Sequence, residues 1–142
     1  ITSHKLIYSY FKQNLQDKLV YYIDGEVSEE KRKFIKQQLE LNDGNIRILI
    51  ASYGTLSTGV SIDNIHNIVF CESFKEEKII RQSIGRGLRK HIDKIKLIVY
   101  DIIDIFYQEK NQKGMLYKHY KTRKAIYERE SFFYDERIIN ID

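Results

Sequence analysis

Four short apolar runs punctuate the chain: KLVYYID (Lys18 to Asp24), IRILIAS (Ile46 to Ser52), NIVFCES (Asn67 to Ser73) and KLIVYDI (Lys96 to Ile102). Each is nearly continuous rather than alternating, the pattern of strands covered on both faces. Segments with helical spacing lie between them. Ser28 is placed to cap a helix whose first turn carries Glu29 and Glu30, both favourable beside its positive end. The same spacing predicts Phe34, Ile35 and Leu39 inside and an end near Asn42 to Gly44. A second helix is predicted from Glu76 to Lys90. The strand–helix alternation implies crossover connections and an α/β fold, a parallel sheet flanked by helices.

Both ends of the chain depart from that pattern. The chain opens on a predicted helix, Ser3 to Gln16, with no strand before it. An α/β unit ordinarily begins with a strand, so the chain reads as part of something longer whose first strand lies upstream. Near the other end, Lys113 to Arg129 reads as a charged, tyrosine-rich helix, and FFYDERIINID as a short edge strand. The tyrosines of this tail are read as packing residues rather than base-stacking ones. The expected division is an α/β domain over residues 1–105 and a helical extension over 106–142.

Composition narrows the chemistry. The 142 residues suit one compact domain, and 42% hydrophobic residues furnish a core. Lys and Arg exceed Asp and Glu by 24 to 20, a net charge of +4 that permits an anionic partner without demanding one. One cysteine rules out an internal disulfide and a cysteine-based metal site; Cys71, inside IVFCES, is expected to be an inert buried thiol. His4, His66, His91 and His119 show no ligand or triad spacing, and no metal site is expected. No apolar run approaches the ~20 residues of a membrane span.

The stretch RQSIGRGLRK, Arg81 to Lys90, places two of the chain's 7 glycines within three positions of a predicted helix. Each costs about 1 kcal/mol relative to alanine in a helix interior. On a helical wheel Ile80, Ile84 and Leu88 form an apolar stripe expected to be buried, while Gln82, Gly85, Arg86 and Arg89 share the opposite, exposed face. A glycine within an arginine stripe lets something approach the backbone closely.

This Q-x-x-G-R-x-x-R pattern resembles motif VI of superfamily 2 helicases and translocases, which lies on a helix of the second RecA-like domain and faces a nucleotide held by the first. The resemblance implies that Arg86 and Arg89 are arginine fingers, catalytic through the charge they place on a transferring phosphoryl group. It implies that Gln82 and Gly85 belong to the ATP-facing interface. ILIASYGTLSTGVSI, Ile48 to Ile62, resembles motif V of the same superfamily, and GEVSEEKR, Gly25 to Arg32, resembles the glycine and arginine that follow the family's second strand. From these matches Ser52, Thr58, Gly59 and Arg32 are expected to contact the nucleic-acid backbone. Where the family often has Asp or Asn followed by Ile/Leu-Pro, this chain has Ser61-Ile62-Asp63, and no ribose contact is carried over to Ser61. KLIVYDIID resembles the family's closing strand with its acidic end, Asp101 to Asp104.

The resemblance covers about residues 1–105, with a looser match in YKTRKAIYERESF, and its wording is nearest to phage UvsW-type DNA helicases and their XPB and restriction-translocase relatives. It implies a RecA-like second helicase domain, P-loop NTPase-like but without a Walker A loop. The chain shows no G-x-x-x-x-G-K-[ST] loop and no acidic pair of the DEAD or DEXH kind, so ATP and Mg²⁺ would be held mainly by an N-terminal RecA-like domain of the same polypeptide. Gln82, where RNA-directed DEAD-box proteins have histidine, favours DNA, single-stranded or branched. The implied protein is a monomeric, cytoplasmic ATP-dependent helicase of a bacterial or phage-infected cell, acting in recombination, repair or branched-DNA remodelling; the isolated chain is expected to be inactive. Two readings stand beside it: a non-catalytic nucleic-acid-binding module of RecA-like fold, and a flavodoxin-like regulator, which would need a phosphate loop or an aspartate pocket at a strand end.

Overall fold

The computed structural model describes residues 3–15, 18–57, 61–72, 74–92, 94–103, 107–108 and 112–139. All four apolar runs form strands: β1 (Leu19–Ile23), β2 (Arg47–Ala51), β3 (Asn67–Phe70) and β4 (Ile98–Asp101). The expected parallel sheet is present as two parallel pairs. Leu19 to Ile23 run beside Arg47 to Ala51, and Asn67 to Phe70 beside Ile98 to Asp101. Among the described residues no ladder joins β2 to β3. A third pair, β5 (Tyr107–Gln108) with β6 (Gln112–Lys113), is a two-residue antiparallel hairpin.

The first pair is sandwiched between helices. α1 (Ser3–Asn14) packs across β1 and β2, with His4 and Tyr8 against the ring of Tyr22. Side chains alternate sides along a strand, so Tyr21 and Ile23 point the other way. There they meet α2 (Glu29–Leu39), whose Ile35 and Leu39 close a small core with Ile23 and Ile62. Ser28 caps α2 as expected, its hydroxyl accepting from the Lys31 N–H. Phe34, expected inside, is exposed, because the buried stripe of α2 runs through Ile35 and Leu39 and Phe34 sits one step around the helix from it.

The second pair carries the larger core. α4 (Glu77–Gly87) and α5 (Met115–Arg129) pack on it, and Phe70, Phe74, Ile80, Ile84, Ile126 and Tyr127 are buried together. The short α3 (Tyr53–Ser57) contributes Tyr53, whose ring lies against Phe70 and Phe74. The tail expected as an extension is thus part of this core through α5. Residues 132–139 form no strand: Phe132 folds back onto the core, while Phe133, Ile138 and Ile139 stay exposed without a strand edge to pair with. Cys71 is a further difference. β3 stops at Phe70, and the thiol lies exposed beyond it rather than buried.

At the centre of the second core is Arg123, only 1% exposed. Its guanidinium spans the Asp101 carboxylate in two hydrogen bonds of 2.8 Å, donates a third at 2.8 Å to the Phe74 carbonyl and lies over the Phe74 ring. The Tyr127 hydroxyl donates to the same carboxylate at 2.8 Å. Burial, with the Asp101 charge behind it, pushes the Tyr127 phenol well above its ordinary pKa and keeps it a donor.

Candidate nucleotide-facing and nucleic-acid-facing site

α4 is held from below and along its side. Ile80 and Ile84 are sunk in the core. Near the N-terminal end of α4, Arg81 pairs with Glu77 at 2.9 Å and with Glu130 beyond α5, while Arg129 of α5 reaches Glu77 at 2.5 Å. This charge pairing draws the Glu77 carboxyl below its usual range, first through its hydrogen bond to Arg129. The helix is consequently fixed in rotation, and its outer face carries Gln82 and Gly85, both exposed, with Arg86 half-buried beside them.

The two glycines have different reasons to be there. A Cβ at Gly85 would meet nothing within 4 Å, so this position leaves open space on the arginine face. A Cβ at Gly87 would fall 2.6 and 2.7 Å from the two methyls of Leu97 and 3.0 Å from Ile68. Gly87 is the contact that lets α4 lie close to β3 and the segment leading into β4. It also explains why Leu88, expected to continue the apolar stripe, is exposed: the helix ends at Gly87, which takes the inward position, and Leu88 becomes the C-cap. Alanine substitution is expected to separate the two. Gly87→Ala forces Leu97 to move and should cost about 1–2 kcal/mol of stability, whereas Gly85→Ala should add about 0.5–1 kcal/mol. Chemical denaturation measures both effects.

Arg89 also differs from expectation in setting. It lies just past the end of α4, in a tightened turn where its N–H bonds the Arg86 carbonyl at 3.2 Å, and its side chain is directed across to the segment before β3. There Nη1 donates to the Ser61 hydroxyl and to Asp63 Oδ1 at 3.1 Å. Arg86, half-buried, follows the open position at Gly85 on α4, and Arg89, exposed, stands in the turn beyond it. Such an arrangement suits phosphate oxygens, which guanidinium groups bind through planar, permanently charged forks.

The residues expected to meet nucleic acid are more dispersed. Thr58 and Gly59 lie outside the described residues. Ser52 follows β2, half-buried, with its hydroxyl paired to the buried Thr55 at 2.7 Å and its carbonyl accepting from the Thr55 N–H, so it starts α3. Arg32, half-buried on α2, donates to the carbonyls of Val27 at 2.8 Å and Asp24 at 2.7 Å, which fastens the turn after β1. Ser52 and Arg32 both stand near the C-terminal ends of the first strand pair. Among the described residues no group of His, Cys, Asp or Glu side chains is arranged to hold a metal ion, and no helix is long and apolar enough to cross a membrane.

Sequence reading had singled out neither Arg123 nor the pairing of Asp63 with Arg89. Arg123 did leave a signal: it interrupts the apolar spacing Leu116, Tyr120, Tyr127 on α5, and an arginine inside such a stripe needs a buried acid.

Comparison with known proteins gives the family and the fold. Residues 2–91 match the family model described as Helicase conserved C-terminal domain. The ATP-dependent DNA helicase UvsW of Enterobacteria phage T4 is 37% identical over 150 residues, spanning 99% of this chain and 29% of that protein. The Type I restriction enzyme EcoKI endonuclease subunit of Escherichia coli (strain K12) is 26% identical over 94 residues, 65% of this chain and 8% of that protein. The crystal structure of T4 UvsW superposes with a TM-score of 0.68 at 34% identity, over 89% of this chain and 27% of that one. The C-terminal part of the Fun30 ATPase domain shares the fold, with a TM-score of 0.57 at 13% identity over 94% of this chain and 46% of that one.

Proposed function

Because this chain belongs to the helicase conserved C-terminal domain family, we propose that it is the second RecA-like half of an ATP-dependent DNA helicase or translocase. The chain spans 29% of the curated helicase it resembles over nearly its whole length, and the activity belongs to the longer protein. The observation that carries the reading is the outward face of α4 and its C-terminal turn, where Gly85 clears space beside Arg86 and Arg89. A face of this kind serves a ligand presented by another body. A partner RecA-like domain in the same polypeptide would cradle ATP and Mg²⁺, and this domain would close on the phosphates with Arg86 and Arg89, with Gln82 in the polar network around them.

Nucleic acid is assigned to the sequence after β2 and to the turn after β1. Ser52, Thr58 and Gly59 follow β2, and Arg32 shapes the neighbouring turn; hydroxyls, backbone N–H groups and a guanidinium there suit the phosphates of a DNA strand. A monomer working on single-stranded or branched DNA in the cytoplasm of a bacterial or phage-infected cell, in recombination, repair or remodelling, is the setting this reading implies.

The test is ATP hydrolysis by the longer protein with and without DNA, alongside the 142-residue chain alone. DNA-stimulated turnover by the first and none by the second is expected. Thr58→Ala should remove most of the DNA stimulation and leave the basal rate nearly intact. DNA affinity should fall steeply with salt, because backbone contacts release counterions. Steady turnover by the isolated chain, or DNA binding indifferent to salt, would overturn the assignment in favour of a different activity or a protein partner.

A further inference from the structure

Asp63 is held more firmly than an exposed residue in a connecting segment requires. Its backbone N–H donates to Glu40 Oε1 at 2.6 Å, and its carbonyl accepts from Lys94 Nζ at 2.8 Å. The next residue, Asn64, donates from its side chain to the Leu39 carbonyl at 3.4 Å, and the preceding one, Ile62, is buried in the core between α2 and the first strand pair. Glu40 is the C-cap of α2, and Lys94 lies before β4, so Asp63 is pinned from two sides of the domain. From this fixed point its carboxylate reaches into solvent and takes Arg89 Nη1 at 3.1 Å, with the Ser61 hydroxyl accepting from the same nitrogen.

The pair does little for stability. Both side chains are about half exposed, and exposed ion pairs contribute weakly because water and salt screen them. What the contact does supply is direction. Arg89 stands beyond the end of α4, where no helix fixes its side chain, and an arginine has many rotamers to lose before it can meet a phosphate. A carboxylate at one end of the guanidinium orients it and leaves the remaining N–H groups for an incoming anion.

We propose that Asp63 is a positioning residue for Arg89, setting the guanidinium in advance for the phosphoryl group; this rests on the nucleotide-facing reading above. Asp63 stands four positions after Gly59 in the sequence, so on the same reading the segment that meets the nucleic acid also sets the arginine that meets the nucleotide. The departure Ser61-Ile62-Asp63 from the family wording thereby has a use: the acid stands at 63, where it meets Arg89.

A double-mutant cycle in the longer protein tests this, with ATP varied at saturating DNA. Asp63→Ala is expected to lower kcat about tenfold, within the cost of a mis-set catalytic group, with little change in KM for ATP. The melting temperature should move by no more than about 3 °C. Asp63→Asn keeps an acceptor for Arg89 and should recover part of the rate. In an Arg89→Ala background, Asp63→Ala should produce no further loss, because the residue it positions is gone. Additive losses in that background, or an unchanged or raised kcat in the Asp63→Ala single variant while Arg89→Ala is impaired, would overturn the positioning role and leave the nucleotide-facing reading standing. If Arg89→Ala itself turns over at the parent rate, both fall together.

Discussion

Replacing Arg89 with alanine in the longer protein is expected to lower ATP turnover about 10³-fold, the lower end of what an arginine finger contributes to phosphoryl transfer. Charge develops on the transferring group only as the transition state forms, so a guanidinium placed there acts on kcat far more than on binding. Nucleotide affinity should change little if, as proposed, the cradle for the triphosphate lies on a partner domain. Arg86→Ala is expected to act in the same direction from a different support. Arg86 rides on α4, fixed by Ile80 and Ile84 beneath it, whereas Arg89 depends on the turn after the helix and on Asp63. Single-turnover hydrolysis with and without DNA reads both. If both variants hydrolyse ATP at the parent rate, the arginines are not fingers, and the open space at Gly85 must serve another ligand.

The largest effect on stability is expected at Arg123. Arg123→Ala leaves the Asp101 carboxylate, itself mostly covered, without its partner, and removes a donor from the Phe74 carbonyl. Breaking a buried pair from one side costs about 3–5 kcal/mol, because the remaining charge is neither solvated nor matched. Against a total of about 5–15 kcal/mol for a domain, that is enough to unfold a marginal one. Exchanging both partners for apolar residues of similar size, Arg123→Met with Asp101→Leu, should be milder than the single alanine change, since no orphaned charge is left. Urea titration followed by far-ultraviolet circular dichroism makes the comparison, and a single variant as stable as the parent would show that the pair is not what secures α5.

The strands and their parallel pairing were legible because four nearly continuous apolar runs alternate with helical segments; coverage of both faces was not, since Val69 and Tyr100 of the second pair are half exposed. Ser28 and its two glutamates marked a helix start through purely local chemistry. Burial at element ends was less legible. Leu88 fits the stripe of Ile80 and Ile84 on paper, but the helix stops one residue earlier and Gly87 takes the inward position against Leu97. Cys71 reads as core until β3 is seen to stop at Phe70.

In the candidate site, the arginines and Gly85 were visible as a pattern within one helix. The acids that hold arginines were not: Asp101 is 22 positions from Arg123 and Asp63 is 26 positions from Arg89. Contacts at that separation are set by how strands and helices pack, which residue spacing along one element does not encode.

The fastening of α4 to α5 bears on how such a domain moves. With Arg81, Glu77, Arg129 and Glu130 cross-linked at one end and Ile80, Ile84, Ile126 and Tyr127 sharing a core, the two helices form a single cooperative unit. The shared core, more than the exposed ion pairs, ties their movements together. If the domain closes on a nucleotide as proposed, α4 would be carried like a blade set in a handle, with α5 as the handle.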